Sequence, residues 1–275
     1  MPTLRKFRYT LSKTGLRSPL LWMRHRDFQP GDVFTASYPR SGSTWLRFIL
    51  VELLAGQSSG FKNVNHLSPD VGEHSGAQAL LPEGGRLIKT HELYRKSYKR
   101  AIYLARDPRN VFLSEFVYEK NLGVIKDDFD AFLDDFLRRG VNPFGLWIDH
   151  VNSWLDAADA KQCELLVVKF EDMRSDTVRS LSQMMDFLRF PVDEATIRKA
   201  VENNSLEQMK AKEKVSPQKA SARGRFVGAG AIAGWRDKFT PAQLRKIDQY
   251  AGAAMARLGY APAGQMAETL EEVRA

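Results

Sequence analysis

"FTASYPRSGSTWLRFIL", Phe34 to Leu50, decides how the chain is read. A short apolar run gives way to Tyr38 and Pro39, a glycine stands among serines at 41–43, and an apolar run with helical spacing follows Trp45. That order reads as a strand, a tight turn and a helix. The first backbone N–H groups of such a helix have no intrahelical partner, and the helix dipole adds partial positive charge at the same end. Arg40 contributes a cation and Ser41, Ser43 and Thr44 contribute hydroxyls, so phosphate or sulfate is a natural guest. An ordinary βα turn with a Ser/Thr N-cap explains the same small hydroxyl residues equally well. The lysine-bearing phosphate loop G-x-x-x-x-G-K-[ST] is absent from this turn.

Outward from this turn, short apolar runs predict strands at 33–38, 86–90, 100–105 and 164–170. Amphipathic spacing predicts helices at 43–56, 108–121, 128–139, 144–158, 172–188, 193–202 and 240–258. The alternation implies an α/β fold: a single domain whose central parallel sheet is flanked by helices and opens with a phosphate-loop-like strand-turn-helix. In such sheets ligands bind beyond the carboxyl ends of the strands. Polar segments stand just there: "PRSGSTW" after the first strand, "KTH" ending the second, "RDPRN" after the third and "FEDM" after the fourth.

A chain of 275 residues with 43% hydrophobic and 27% charged residues suits one large domain. The expected division is a basic N-terminal segment at 1–30 packing on a domain at 31–262, with a tail at 263–275. A small-residue stretch dotted with glycine between Ser216 and Gly234 reads as a long functional loop. The single cysteine, Cys163, excludes an intrachain disulfide and has no clustered zinc partners, so no metal is expected and a reducing compartment is favoured. The apolar runs of the basic start are too short for a signal or a membrane span, and Arg47 and Glu52 interrupt "LRFILVELLAG". A cytoplasmic protein is expected. The net charge of +8 implies an anionic partner without naming it. The basic, apolar-dotted N-terminus reads either as a helix in peripheral contact with a membrane or as a solvated face over a few core contacts.

Taken together, these segments resemble the cytosolic-type sulfotransferases, with a bacterial-type member as the expectation. That family moves a sulfuryl group from 3′-phosphoadenosine 5′-phosphosulfate (PAPS) to a hydroxyl or amine. The family loop T-Y-P-K-S-G-T-T-W is similar to "ASYPRSGSTW" at 36–45. Its Arg and Ser eight residues apart match Arg106 and Ser114, its K-T-H matches Lys89 to His91, and its Y-E-D-M resembles "FEDM" at 170–173. Weaker likenesses are "NSLEQMK" at 204–210 and "GAGAIAGWRDKFT" at 228–240. The resemblance implies PAPS as donor, no metal, no nucleic-acid partner, and an acceptor that is a small molecule, lipid or saccharide. It assigns His91 as general base, Lys89 to the sulfuryl oxygens and Arg40 to the leaving phosphate. It gives Arg40, Ser41, Gly42, Ser43 and Thr44 to the 5′-phosphosulfate, Arg106 and Ser114 to the 3′-phosphate, Trp45, Phe170 and Ser205 to adenine, and Gly230 to the last cofactor loop. Loops at 57–85, 119–145 and 211–233 are expected to line the acceptor pocket, with Phe61, Phe116, Tyr118, Phe144 and Trp147 as candidate aromatics.

The chain departs from the family pattern in five places. Arg40 replaces a lysine, so it stabilises the leaving group by charge and donates no proton. Phe170 replaces a tyrosine and Leu206 a stacking phenylalanine. Gly228 and Ala229 stand where the family has Arg-Lys, which leaves Arg223 or Arg225 as candidate replacements. Pro241 and Arg245 break the dimer signature K-x-x-x-T-V-x-x-x-E, so dimerisation by that route is not expected and the oligomeric state is open.

Overall fold

The computed structural model describes residues 22–216 and 234–263. Four strands, β1 (Val33–Ala36), β2 (Leu87–Thr90), β3 (Arg100–Ala105) and β4 (Glu164–Lys169), form one sheet in the order β2-β1-β3-β4. Every pair is parallel, with Val33 beside Leu87 and Arg100 beside Glu164. A parallel strand cannot return by a hairpin, so helical crossovers must cover both faces.

The alternation of side chains along each strand decides what goes on which face. Phe34 and Ala36 of β1, with Ala101, Tyr103 and Ala105 of β3, join one core cluster. That cluster is completed by α3 (Pro108–Asn121), α4 (Phe129–Arg138), α5 (Trp147–Asp159) and α10 (Pro241–Arg257). Val33 of β1, Leu87 of β2 and Ile102 and Leu104 of β3 face the other cluster. On that side lie α1 (Ser43–Ala55), α2 (Phe61–Leu67), α6 (Phe170–Ser175), α7 (Thr177–Phe187), α8 (Glu194–Asn203) and α9 (Leu206–Lys214).

Helix α1 is buried along most of its length, and this resolves the two charges within its apolar run. Arg47 donates to the Val64 carbonyl and to Asn65 Oδ1, at 3.1 and 2.9 Å. Glu52 accepts from the side-chain amides of Asn203 and Asn204, at 2.6 and 2.8 Å. Buried charges persist only when so partnered.

The expected helix at 172–188 is two helices. Asp176 accepts from the Arg179 N–H and caps α7, so the chain turns a corner inside an unbroken apolar period. The short helix α2 and helix α9 were not expected from the sequence. "TPAQ" at 240–243, where the dimer signature is broken, is a capping box: Thr240 and Gln243 bond each other's backbone N–H, and Pro241 opens α10. No described helix is long and apolar enough to cross a membrane.

Candidate active site

The strand order opens a crevice. The chain leaves β1 toward β2 on one side and leaves β3 toward β4 on the other, so the carboxyl ends of β1 and β3 diverge and leave room above the sheet. Residues 37–42 and 106–107 fill its rim.

The first loop turns through two left-handed residues, Arg40 with φ 67° and Gly42 with φ 96°. A Cβ at Gly42 would lie 2.5 Å from the Phe170 ring, so only glycine fits. Gly42 is the N-cap of α1, and no side chain caps that helix. The hydroxyl-cap explanation of this turn therefore fails, because none of the nearby serines or Thr44 caps the helix. Ser41 is buried, and its Oγ has no hydrogen-bond partner among the described residues. An open helix N-terminus beside an unsatisfied buried hydroxyl is a site made for an anion.

Two arginines frame the loop. Arg40 Nε donates to Ser114 Oγ on α3 at 3.1 Å, and its guanidinium lies 4.4 Å from the Tyr118 ring centre. Arg106 donates to the Arg40 carbonyl at 2.8 Å and lies over Phe170, 4.4 Å from the ring centre. Phe170 thus sits beneath both Gly42 and Arg106. Pro108 opens α3 and Asp107 caps it by accepting from the Arg109 N–H, which sets Ser114 on the helix facing Arg40. Burial lowers the Arg106 pKa from its ordinary value, opposed by the Glu171 carboxylate. An anion placed here offsets that desolvation.

Trp45 donates its indole N–H to the Asn204 carbonyl at 2.8 Å and meets Phe170 edge-on. Ser205 is engaged as the N-cap of α9, accepting from the Gln208 N–H at 3.4 Å. Gly230, Arg223 and Arg225 lie outside the described residues.

His91 follows β2 immediately. Its Nδ1 is 2.6 Å from the Ser37 carbonyl, which can only accept, so the ring proton sits on Nδ1. Nε2 then carries the lone pair, and it has no hydrogen-bond partner among the described residues. Burial, and next the Lys89 charge, lower the His91 pKa to about 3. The ring is therefore neutral near pH 7, the state a base requires. An ordinary histidine titrates at ~6.5.

Lys89 is not directed to solvent. Its ammonium bonds Asp70 Oδ1 at 2.7 Å, across a parallel bridge that joins residue 70 to β2. Burial raises the Asp70 pKa, but Lys89 and Arg47 outweigh it and the net shift is downward. The carboxylate stays ionised and holds the lysine.

The candidate acceptor aromatics separate cleanly. Phe61, Phe116 and Trp147 are buried in the two cores. Phe144 instead meets the His91 ring edge-on at 5.4 Å, and Tyr118 lies under Arg40. Phe144 is carried by a loop pinned to the first turn: Tyr38 OH donates to the Gly145 carbonyl at 3.0 Å and accepts from Asn142 at 2.9 Å.

Sequence reasoning missed His150, fully buried on α5. Its Nε2 lies 3.2 Å from the His91 carbonyl, and burial lowers its pKa to about 3. Both histidines titrate far below an unfolded histidine, so from about pH 6.5 down toward 3 the unfolded chain binds more protons and stability falls with pH. The expected result is a melting temperature that declines steadily from pH 7 to pH 4.5 in thermal scans. His150→Leu flattens the decline, and an equal slope in that variant contradicts the assignment.

Among the described residues no cluster of His, Cys, Asp or Glu could hold a metal ion. Residues 30–259 match the sequence profile of the sulfotransferase domain. Human sulfotransferase 2B1 is 29% identical over 254 residues, covering 86% of this chain and 69% of that protein. Human sulfotransferase 2A1 is 27% identical over 264 residues, covering 89% of this chain and 92% of that protein. Mouse sulfotransferase SULT7A1, solved in complex with PAP, shares the fold with a TM-score of 0.69 at 23% identity over 95% of each chain. These likenesses support the family at large and not a bacterial-type branch of it. The chain belongs to the sulfotransferase family.

Proposed function

We propose that the protein transfers a sulfuryl group from PAPS to an acceptor hydroxyl, with His91 as general base. The observation that carries this reading is the meeting, at one end of the sheet, of an uncapped helix N-terminus, two arginines and a neutral histidine with a free lone pair. The family membership supports it, as does the PAP bound in the fold neighbour SULT7A1.

The residues fit such a donor. The unsatisfied Ser41 hydroxyl and the open amides at 42–44 suit the 5′-phosphosulfate, with Arg40 beside them. Arg106 and Ser114 suit the 3′-phosphate, and the Trp45 and Phe170 rings suit adenine. Bound PAPS supplies the sulfuryl group on an activated anhydride and leaves as 3′-phosphoadenosine 5′-phosphate.

Sulfuryl transfer resembles phosphoryl transfer, so positioning and charge do most of the work and no metal is needed where protein cations suffice. His91 Nε2 takes the proton that the acceptor hydroxyl loses as its oxygen bonds to sulfur. Arg40 stabilises the charge left on the departing phosphate oxygen and keeps its own protons. Lys89, assigned to the transferring oxygens by the family resemblance, is held by Asp70, whose ionised carboxylate offsets its charge in the free protein.

Phe144 against His91 favours an acceptor whose hydroxyl is borne on an apolar frame. Retinol dehydratase, a fold neighbour with a TM-score of 0.67 at 22% identity, has been solved with androsterone and PAP, and that is a frame of this kind. The sequence holds one cysteine, Cys163, which forms no intrachain disulfide, and on cysteine usage alone we assign the protein to the cytoplasm.

Labelled PAPS with a panel of phenols, alicyclic alcohols and amines tests the function: label transfer to a hydroxyl acceptor supports it, and none across the panel contradicts it. Arg106→Ala tests the cofactor assignment. It is expected to weaken 3′-phosphoadenosine 5′-phosphate by about 10-fold to 100-fold, the worth of a hydrogen bond to a charged group, and adenosine 5′-phosphosulfate far less. Equal losses mean that Arg106 does not meet the 3′-phosphate.

A further inference from the structure

We propose that His150 is a positioning residue for His91: its Nε2–H holds the His91 main chain while Ser37 holds the His91 ring, and the two together present Nε2 of His91 to the crevice. The inference rests on the reading of His91 as the base.

The His91 C=O can only accept, and the His150 Nε2 lies 3.2 Å from it, so Nε2 carries the His150 proton. The ring is neutral in its buried setting, so Nδ1 has the lone pair. Tyr103 OH stands 2.9 Å from that Nδ1 and must be the donor. Tyr103 lies on β3 and is itself fully buried, so its hydroxyl has no water to turn to. It therefore locks His150 in the one tautomer that can reach the His91 carbonyl.

A second donor on the same helix works alongside. Trp154, one turn after His150 on α5, gives its indole N–H to the Glu92 carbonyl at 3.2 Å. Helix α5 thus grips two consecutive carbonyls directly after β2. His91 needs this because it lies just past the last paired residue, Thr90. Its ring is held by Ser37, whose carbonyl lies 2.6 Å and Oγ 3.3 Å from Nδ1, and by the edge of Phe144. Without the His150 bond the His91 carbonyl loses this partner, and the main chain moves to satisfy it.

The consequence for function is geometric. A base misplaced by about 1 Å costs roughly 100-fold in rate, although it does not touch the donor site. His150→Leu is therefore expected to lower turnover by about 10-fold to 100-fold while 3′-phosphoadenosine 5′-phosphate binds as in the wild type.

The deciding measurement needs no acceptor. Long-range proton–nitrogen NMR of the protein labelled at histidine reads which ring nitrogen bears each proton. In the wild type, His91 is expected as a single Nδ1–H tautomer and His150 as a single Nε2–H tautomer. His150→Leu turns the His91 signal into an average of both tautomers. His150→Gln, whose amide N–H overlays Nε2, restores the single tautomer, whereas His150→Asn, too short to reach the carbonyl, does not. Should His150→Leu fail to fold, the Gln and Asn variants and Tyr103→Phe carry the test, with Tyr103→Phe behaving like Asn. An unchanged His91 tautomer in the Leu variant, or equal behaviour of Gln and Asn, overturns the proposal. Failure of the wild type to bind 3′-phosphoadenosine 5′-phosphate contradicts the sulfotransfer reading instead and leaves the histidine coupling to stand or fall by its own signal.

Discussion

His91→Ala is expected to lower turnover by about 100-fold to 10,000-fold, the range for a positioned proton acceptor, with donor affinity near wild type. The residues proposed to hold the donor, Arg40, Ser41 and Arg106, lie on loops after β1 and β3, and His91, which follows β2, touches the first of these loops only at Ser37, so its loss leaves their own contacts in place. The pH profile sharpens the test. Because burial pushes His91 down to about 3, the free enzyme is already in its basic form at mild acidity. The acid limb of kcat/KM should then fall well below pH 5.5, with a flat profile from pH 5.5 to 8. Steady-state kinetics of the two proteins across that range check both statements. Near wild-type turnover in His91→Ala, or an acid limb at about 6.5, removes this histidine or its neutral resting state from the mechanism.

Gly42→Ala is expected to remove donor binding and to destabilise the fold together. At φ 96° an alanine pays a conformational penalty of about 1 kcal/mol or more, and its Cβ would meet the Phe170 ring at 2.5 Å. Overpacking of this kind costs about 1–3 kcal/mol. A total of about 2–4 kcal/mol lowers the melting temperature by roughly 5–15 °C in a chain of this size. The ring that Cβ strikes also lies under Arg106, so the distortion reaches both of the proposed phosphate positions. The check is a double-mutant cycle: Phe170→Ala should cost less stability in the Gly42→Ala background than in the wild type, because it removes the ring that the new Cβ strikes. Equal costs in the two backgrounds, or a Gly42→Ala variant that melts like the wild type, contradict the packing account.

The elements that were legible in the sequence share one property: their signals are local. Helix α3 was readable to its ends, 108–121, because Asp107 and Pro108 mark its start. The first turn was readable because the strand, the glycine and the helix lie within one short stretch. The break at Asp176 was not, since one capping residue sits inside an apolar period that runs on past it. Helices α2 and α9 were missed, and α9 buries only Met209 within its span, which leaves almost no periodic signal.

The site shows the same division. The residue types after each strand pointed to an anion, but the partners that set their behaviour come from far along the chain. Asp70 holds Lys89 from 19 residues away, His150 reaches His91 from 59, and the Asn204 carbonyl fixes Trp45 from 159. Desolvation of His91 is likewise a property of packing, so the sequence supplied its ordinary pKa and missed the downward shift. Sorting the aromatics needed the structure for the same reason: Phe116 and Phe144 look alike in the sequence, and only burial separates a core ring from one that faces His91.

Calorimetric titration with 3′-phosphoadenosine 5′-phosphate tests most directly whether the crevice between β1 and β3 is the donor site. The wild type should bind one equivalent with a micromolar or tighter constant, and its melting temperature should rise with ligand concentration. Arg106→Ala and Gly42→Ala should each weaken that binding, while His91→Ala should leave it unchanged. Absence of heat and of any thermal shift at millimolar ligand, or equal binding in all four proteins, would contradict the donor site described for this fold.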